Sequence, residues 1–304
     1  MLESILLTVI TAATPLIFAA IGELVAERSG VLNLGVEGMM AMGAVAGFAA
    51  AHVTGNPMIG VLAAIVAGVV MAALFGIVTL VFVANQVASG LALTLFGLGL
   101  SGLIGDSFVG IPGVSVPSLN IPGLTDLPIV GRVIFGLDPL TYLAIALTIG
   151  VSWFLFRTRG GLVLRAVGDS HGSAHTLGYD VIRVRFLAVL FGGACAGVGG
   201  AYLSLVYTPQ WTEAMTAGRG WIALALVVFG TWLPLRVFIG AIVFGGVSIL
   251  QLHAQAFGIG IPSQFLSALP YLTTIVVLVI ISRNRVLVST NTPAALGQSF
   301  VPDR

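Results

Sequence analysis

Arg157-Thr-Arg-Gly-Gly-Leu-Val-Leu-Arg165-Ala-Val-Gly-Asp169-Ser-His-Gly-Ser-Ala-His175-Thr-Leu-Gly-Tyr-Asp180-Val-Ile-Arg-Val-Arg185 is the long charged stretch of a chain that is otherwise greasy. The protein is 58% hydrophobic and 8% charged, with a mean hydropathy of +1.12. Five arginines, two aspartates and two histidines fall within this one segment. Apolar runs flank it on both sides. A bilayer core is about 30 Å thick and takes about 20 apolar residues to cross as a helix. The segment is therefore a water-exposed connection between two spans.

Working outward, the apolar stretches are continuous rather than alternating, which excludes a membrane β-barrel. The 304 residues leave room for about eight to ten spans and little else. The fold class is an all-α polytopic membrane protein with about nine transmembrane helices. Candidate spans lie at 5–25, 36–52, 59–84, 86–105, 139–157, 186–208, 219–232, 237–257 and 266–283. The 219–232 run is short, and Asn85, Gln86 and Gly90 suggest a break within 59–105. Residues 1–288 form the transmembrane domain, and the polar tail 289–304 reads as mobile. Glu3 and the absence of a basic start argue against a cleavable signal peptide, so the first span doubles as the insertion signal.

Every one of the 12 basic residues is an arginine. With the 157–185 loop in the cytoplasm, Arg28, Arg236, Arg283, Arg285 and Arg304 fall on the same side. Only Arg132 and Arg219 fall outside, a bias that fits the positive-inside rule and places the N-terminus outside and the C-terminus inside. The proline- and glycine-rich connection 106–138 then lies across the outer face. A phosphate-binding P-loop needs a lysine after its glycines. None is present, so ATP-driven work requires a second polypeptide. Cys195, the single cysteine, excludes an internal disulfide and reads as a packed thiol. No HExxH, CxxC or nucleophile–base cluster points to an enzyme, and no metal-ligand spacing is present. A net charge of +1 gives no reason to expect nucleic acid. Gly43/Gly47 and Gly193/Gly197/Ala201 have the spacing of close helix packing.

Within the charged segment, Gly168 is expected to stop one apolar stretch. Asp169 or Ser170 can cap a helix running to about Leu177, with Gly178 as its left-handed terminator. The run Arg165-Ala-Val-Gly-Asp169, then Ser173-Ala174 and Gly178, resembles the cytoplasmic loop of ABC-transporter permeases, most closely the branched-chain amino acid/simple-sugar permease superfamily. Ser173 and Tyr179 depart from that pattern. Glu27-Arg-Ser-Gly-Val-Leu-Asn-Leu-Gly-Val-Glu-Gly38 resembles the opening signature of its sugar/nucleoside members. Ala217-Gly-Arg-Gly-Trp-Ile-Ala-Leu-Ala225 and Phe229-Gly-Thr-Trp-Leu-Pro234 resemble the nucleoside subgroup paired with basic-membrane-protein-type lipoproteins.

The resemblance implies a coupling helix that fits a cleft on an ATPase subunit, carried here by Arg165, Ala166, Val167, Gly168, Asp169, Ser173, Ala174 and Gly178. It also implies a tandem ATPase that holds ATP and magnesium, a second related permease subunit and an external binding lipoprotein or protein. The setting it implies is the bacterial plasma (inner) membrane. The cargo is then a nucleoside, with a simple sugar such as ribose or galactose as the alternative.

A nucleoside is neutral, so its path wants amides, hydroxyls and aromatic faces. Asn33, Glu37, Asn85, Gln86, Ser89, Thr94, Phe96, Trp221 and Phe229 are the candidates, although Glu37 also fits a pairing with Arg28 or a cap on its own helix. Glu23 and Glu27 read as solvated at the inner end of the first span, and His253 as a hydrogen-bonded interior histidine. A stand-alone secondary transporter would want an acidic residue at mid-membrane, and none is expected there.

Overall fold

The computed structural model describes residues 2–119, 122, 125, 130–256, 262–282 and 291–301. Seven helices among them are long and apolar enough to cross a membrane. These are α1 (Leu2–Arg28), α2 (Val36–Thr54), α3 (Pro57–Gly76), α4 (Gln86–Gly105), α6 (Pro139–Arg157), α9 (Val181–Tyr202) and α11 (Pro234–Ala256). Short helices α5 (Val130–Phe135), α7 (Arg159–Asp169) and α8 (His171–Thr176) lie between spans. The chain continues with α10 (Arg219–Phe229) and the 20-residue α12 (Ser263–Ser282). α3 and α9 each end in a π-helical turn, at Ile77–Val81 and Leu203–Tyr207.

Helix boundaries follow from caps. Asn56, Asn85, Asp138 and Asp180 each accept a backbone N–H at the start of α3, α4, α6 and α9. Proline stands in the first turn of α3 and α6, where its missing donor is not needed. The break near Asn85 is present: Val83 takes a positive φ of 57° and Asn85 opens α4.

Helix α9 is the centre of the bundle and packs against α1, α2 and α3. Its small residues make this possible. A Cβ on Gly197 or Gly200 would run into the backbone of α3 at Ala64 or of α2 at Met40. The glycine spacing therefore serves close packing inside one subunit. Buried Cys195 belongs to the same seam.

α10 departs from the expected crossing. Its 11 residues span about 16 Å, half of a bilayer core of about 30 Å. The preceding segment 208–218 is irregular, with positive φ at Ala214, Ala217 and Gly218. It runs back from the end of α9 to the start of α10. Residues 208–229 are thus a broken element, half irregular and half helical, and the 219–232 stretch is too short to cross as a helix.

Both ends of the bundle are defined. Gly168 of α7 lies against the carbonyl of Arg28, so α1 ends beside the α7–α8 layer. The 27 residues of α1 place its N-terminus about 40 Å away, at the opposite end. There the described residues after α4 meet the segment that follows α9: Gly113 N donates to Pro209 O, and Val116 N donates to Leu205 O. Tail residues 291–301 pack against the α7–α8 layer, which corrects their reading as mobile: Ala295 is buried, and its N–H donates to Gly168 O at 2.9 Å. Residues 289–290 and 302–304 of that reading lie outside the described residues.

Candidate functional site

The α7–α8 layer is built from local rules. Thr158 caps α7 by accepting Gly161 N–H. Gly168 does not stop the helix, which runs on to Asp169; an extended Ser170 (φ −152°, ψ 92°) breaks it instead. The Ser170 hydroxyl accepts Ser173 N–H at 3.3 Å and donates to Ser173 Oγ at 2.8 Å, opening α8. Gly178, at φ +88°, terminates α8 where a side chain would be strained.

The residues of the loop signature divide by direction. Val167 and Ala174 face inward and form a small apolar cluster with Val181. Gly168 is buried because a Cβ would strike the Arg28 carbonyl, so only glycine lets α7 approach the end of α1 this closely. Arg165 is half-buried, with its guanidinium 5.1 Å above the Phe156 ring and its Nε without a partner; Arg28 approaches the same ring at 6.0 Å. Ala166, Asp169, Ser173 and Gly178 are exposed, as are Leu162, Leu177 and Tyr179.

Arg185 holds this layer to the bundle. It is fully buried, and its donors reach three separate pieces of chain. Nε donates to Ser29 O at 3.1 Å, Nη1 donates to Gln298 O at 2.9 Å, and Nη2 lies 3.4 Å from His171 Nδ1. A guanidinium has no acceptor, so His171 Nδ1 accepts here and its imidazole is neutral. Burial and the Arg185 charge both hold the His171 pKa below its ordinary value.

A second polar centre lies deeper. Glu37 neither pairs with Arg28 nor caps its own helix. Its Oε1 accepts from Thr216 Oγ1 at 2.6 Å and Gly218 N at 2.8 Å, and its Oε2 accepts from Gly220 N at 2.6 Å. It therefore caps α10, whose exposed amides and positive dipole end favour a carboxylate. The other end of α10 leads to Trp232, whose carbonyl accepts Arg28 Nε and Nη2. Glu37 thus sits about 16 Å from the Arg28 level, near mid-depth. This corrects the expectation that no carboxylate occupies mid-depth. A Cβ on Gly220 would press on the Glu37 backbone, so glycine is required for the contact.

Glu23 and Glu27 are each 1% exposed, not solvated. Glu23 Oε1 accepts Asn33 N–H, and Glu27 Oε2 accepts Trp232 Nε1–H at 2.6 Å. Three of the expected path residues serve the backbone of the α1–α2 connection. Gln86 Oε1 accepts Leu32 N–H, Thr94 Oγ1 donates to Leu34 O, and Asn33 Oδ1 accepts Gly35 N–H. These three converge on residues 32–35 beside Glu37. Ser89 is half-buried, and Phe229 is buried in the core. Asn85, Phe96 and Trp221 are exposed on the outside of the subunit. His253 is half-buried, 3.0 Å from Ile249 O.

The sequence reading missed the Glu37–α10 contact, the Glu27–Trp232 contact and the central place of Arg185. A visible signal was present for the first: Gly218 and Gly220 flank Arg219 ahead of an apolar helix, the composition of an anion-binding helix start.

A family model described as branched-chain amino acid transport system / permease component matches residues 5–281. The chain is 41% identical to the permease protein TsgC13 of Haloferax volcanii, assigned by name to a glucose ABC transporter, with 96% of this chain and 95% of that protein covered. It is 33% identical to the nucleoside ABC transporter permease NupC of Lactococcus lactis, covering 91% and 92%. It is 32% identical to the guanosine ABC transporter permease NupQ of Bacillus subtilis, covering 88% of each chain. No solved structure matches. With a family model spanning nearly all of its length and full-length relatives that are ABC permeases, the chain belongs to the branched-chain amino acid transport system permease family.

Proposed function

We propose that this chain is the membrane-spanning subunit of an ATP-driven nucleoside importer, with α8 as the element that a separate ATPase subunit grips. The observation that carries the reading is the α7–α8 layer. It is a short capped helix outside the spans, seated on an apolar cluster and tied through buried Arg185 to the α1–α2 turn. A docking knob must be rigidly joined to the spans to move them, and this one is. ATP and magnesium belong to the ATPase, a tandem one in this reading. A related second permease completes the translocation unit, and an external lipoprotein delivers cargo. The α7–α8 end then faces the cytoplasm of a cell whose plasma membrane holds the protein, the N-terminus lies outside and the C-terminus inside. ATP binding favours one of two arrangements of the ATPase pair, and the coupling layer passes that bias to the spans.

The nucleoside assignment is supported by the two relatives named for nucleoside and guanosine. A neutral cargo also suits a site region whose mid-depth carboxylate is already occupied by α10. A simple sugar is the second reading, favoured by the relative assigned by name to glucose. A secondary transporter fits less well. The full-length relatives are named as ABC permeases, and both Glu37 oxygens are committed to α10.

The test is reconstitution of the chain with its cognate ATPase, permease partner and binding protein in proteoliposomes. ATP-dependent uptake of radiolabelled guanosine over radiolabelled glucose is expected, and Leu177→Glu is expected to abolish it. Guanosine uptake by this chain alone without ATP would sink the importer reading, and glucose uptake without guanosine uptake would reverse the cargo assignment.

A further inference from the structure

The C-terminal segment is expected from composition to dangle, yet its residues 295–300 are built into the α7–α8 layer. Ala295 N–H donates to Gly168 O, and Gly297 N–H donates to Gly30 O at 3.0 Å. Gln298 O accepts from buried Arg185. Phe300 then turns over α8. Its ring lies edge-on to both His171 and His175, at 5.3 Å from each. It also packs against the Val167, Ala174 and Val181 cluster that seats the helix. The tail therefore completes the seat of α8 from the side that α7 and α9 leave open.

The same segment shapes the outer surface. Beside Phe300 lies a cavity of about 280 Å³, lined by His175, Tyr179, Asp180 and Ile182 among others. Around the layer, Leu177 is 77% exposed, Val301 65% and Tyr179 44%. These apolar residues lie beyond the ends of α6 and α9, outside the spans that lipid covers. Apolar groups clustered in water mark a protein contact. Leu177 and Tyr179 follow α8 directly in the chain, and Val301 follows Phe300, which packs on α8, so a partner that grips α8 is within reach of all three.

We propose that residues 295–301 are part of the ATPase-docking surface: Phe300 positions α8, and Val301 with the adjoining cavity receives an apolar side chain of the ATPase subunit. This rests on the importer reading above. On this view the coupling element has two strands of attachment. One is α7 and α9, continuous in the chain. The other is the tail, which links α8 to Gly30 and so to the start of the α1–α2 connection.

The test uses the full chain in nanodiscs with its cognate ATPase subunit. Buried Cys195 leaves a low labelling background. Maleimide labelling of Val301→Cys and Leu177→Cys variants is measured with and without the ATPase. Slowing at both positions, about tenfold or more, supports the proposal. Slowing at Leu177→Cys alone overturns it and leaves the importer reading intact. No slowing at either position overturns both.

A second measurement guards against misfolding. Phe300→Ala is expected to weaken ATPase binding about tenfold while the melting of the isolated permease stays unchanged, and Phe300→Leu restores binding. Wild-type ATPase affinity in Phe300→Ala overturns the positioning role.

Discussion

Arg185 and Glu37 are both charged and both buried, and neither meets a counter-ion among the described residues. Backbone dipoles hold each of them, but in opposite architectures. Glu37 takes its main-chain donors from the start of one helix, Gly218 and Gly220, with Thr216 just before it. It anchors a single half-helix at mid-depth, where the α10 dipole adds to the hydrogen bonds. Arg185 takes acceptors from the α1–α2 turn, the tail and α8. It joins three separate parts at the rim, where the geometry must survive being pulled. The difference suggests a fixed interior latch and a peripheral joint, made by the same physics at two depths.

The comparison is broken first by removing the latch. Glu37→Ala leaves one buried amide, one half-buried amide and a buried hydroxyl without acceptors, each costing about 1–3 kcal/mol when water cannot replace Glu37. A loss of about 3 kcal/mol or more is expected in denaturant unfolding in detergent, together with loss of transport. An intact melting transition with normal transport would show that α10 stands without the latch. Arg185→Met is expected to cost less, about 2–4 kcal/mol, because Gln298 is exposed and its carbonyl can be rehydrated, which leaves buried Ser29 O as the main acceptor without a donor. Its distinguishing sign is faster hydrogen exchange in residues 171–176 and 295–298 with little change in α10.

Gly168→Ala sharpens the peripheral side alone. The added methyl meets the Arg28 carbonyl, backbone that cannot swing away. Overpacking of this kind costs about 1–3 kcal/mol. The measurement is unfolding of the variant beside Ala166→Gly, at an exposed position of the same helix.

The smallest effect is a pH dependence at His171. Its folded pKa lies below the ordinary 6.5, so the folded contact favours neutral imidazole. Above pH 6.5 both folded and released forms are neutral and the contact is complete. As pH falls through 6.5 the released form takes up a proton first, and the contact weakens until the lower folded value is reached. Exchange of α8 amides is expected to rise on this acid side and to lose its pH dependence in His171→Gln.

Much of this layout is legible in the sequence because it is written in local terms. Continuous apolar runs announce the spans, and Ser170 and Gly178 announce the ends of α8. Asn85 announces the break before α4. The misreadings share one cause. The 219–232 run has the hydropathy of a span, and nothing within it says that its helix ends at Phe229 after 11 residues or that the 208–218 segment before it is irregular. Glu37 looks like a cap for the helix it begins, since its true partner lies about 180 residues away in a segment whose glycines look like ordinary loop residues. The tail looks mobile because it is polar, and its fixed place depends on Gly168 O, Gly30 O and Arg185 meeting it.

By itself the sequence determined that this protein is helical and polytopic and that it carries the signatures of an ABC permease. Those properties follow from hydropathy, glycine spacing and the residue types available. Only the tertiary structure decided which partners Arg185 and Glu37 find, that α10 is a half-helix hung from Glu37, and that the tail packs into the α7–α8 layer. Desolvation makes an unpaired buried charge too costly to tolerate, and which amide or carbonyl compensates it is set by how distant segments pack.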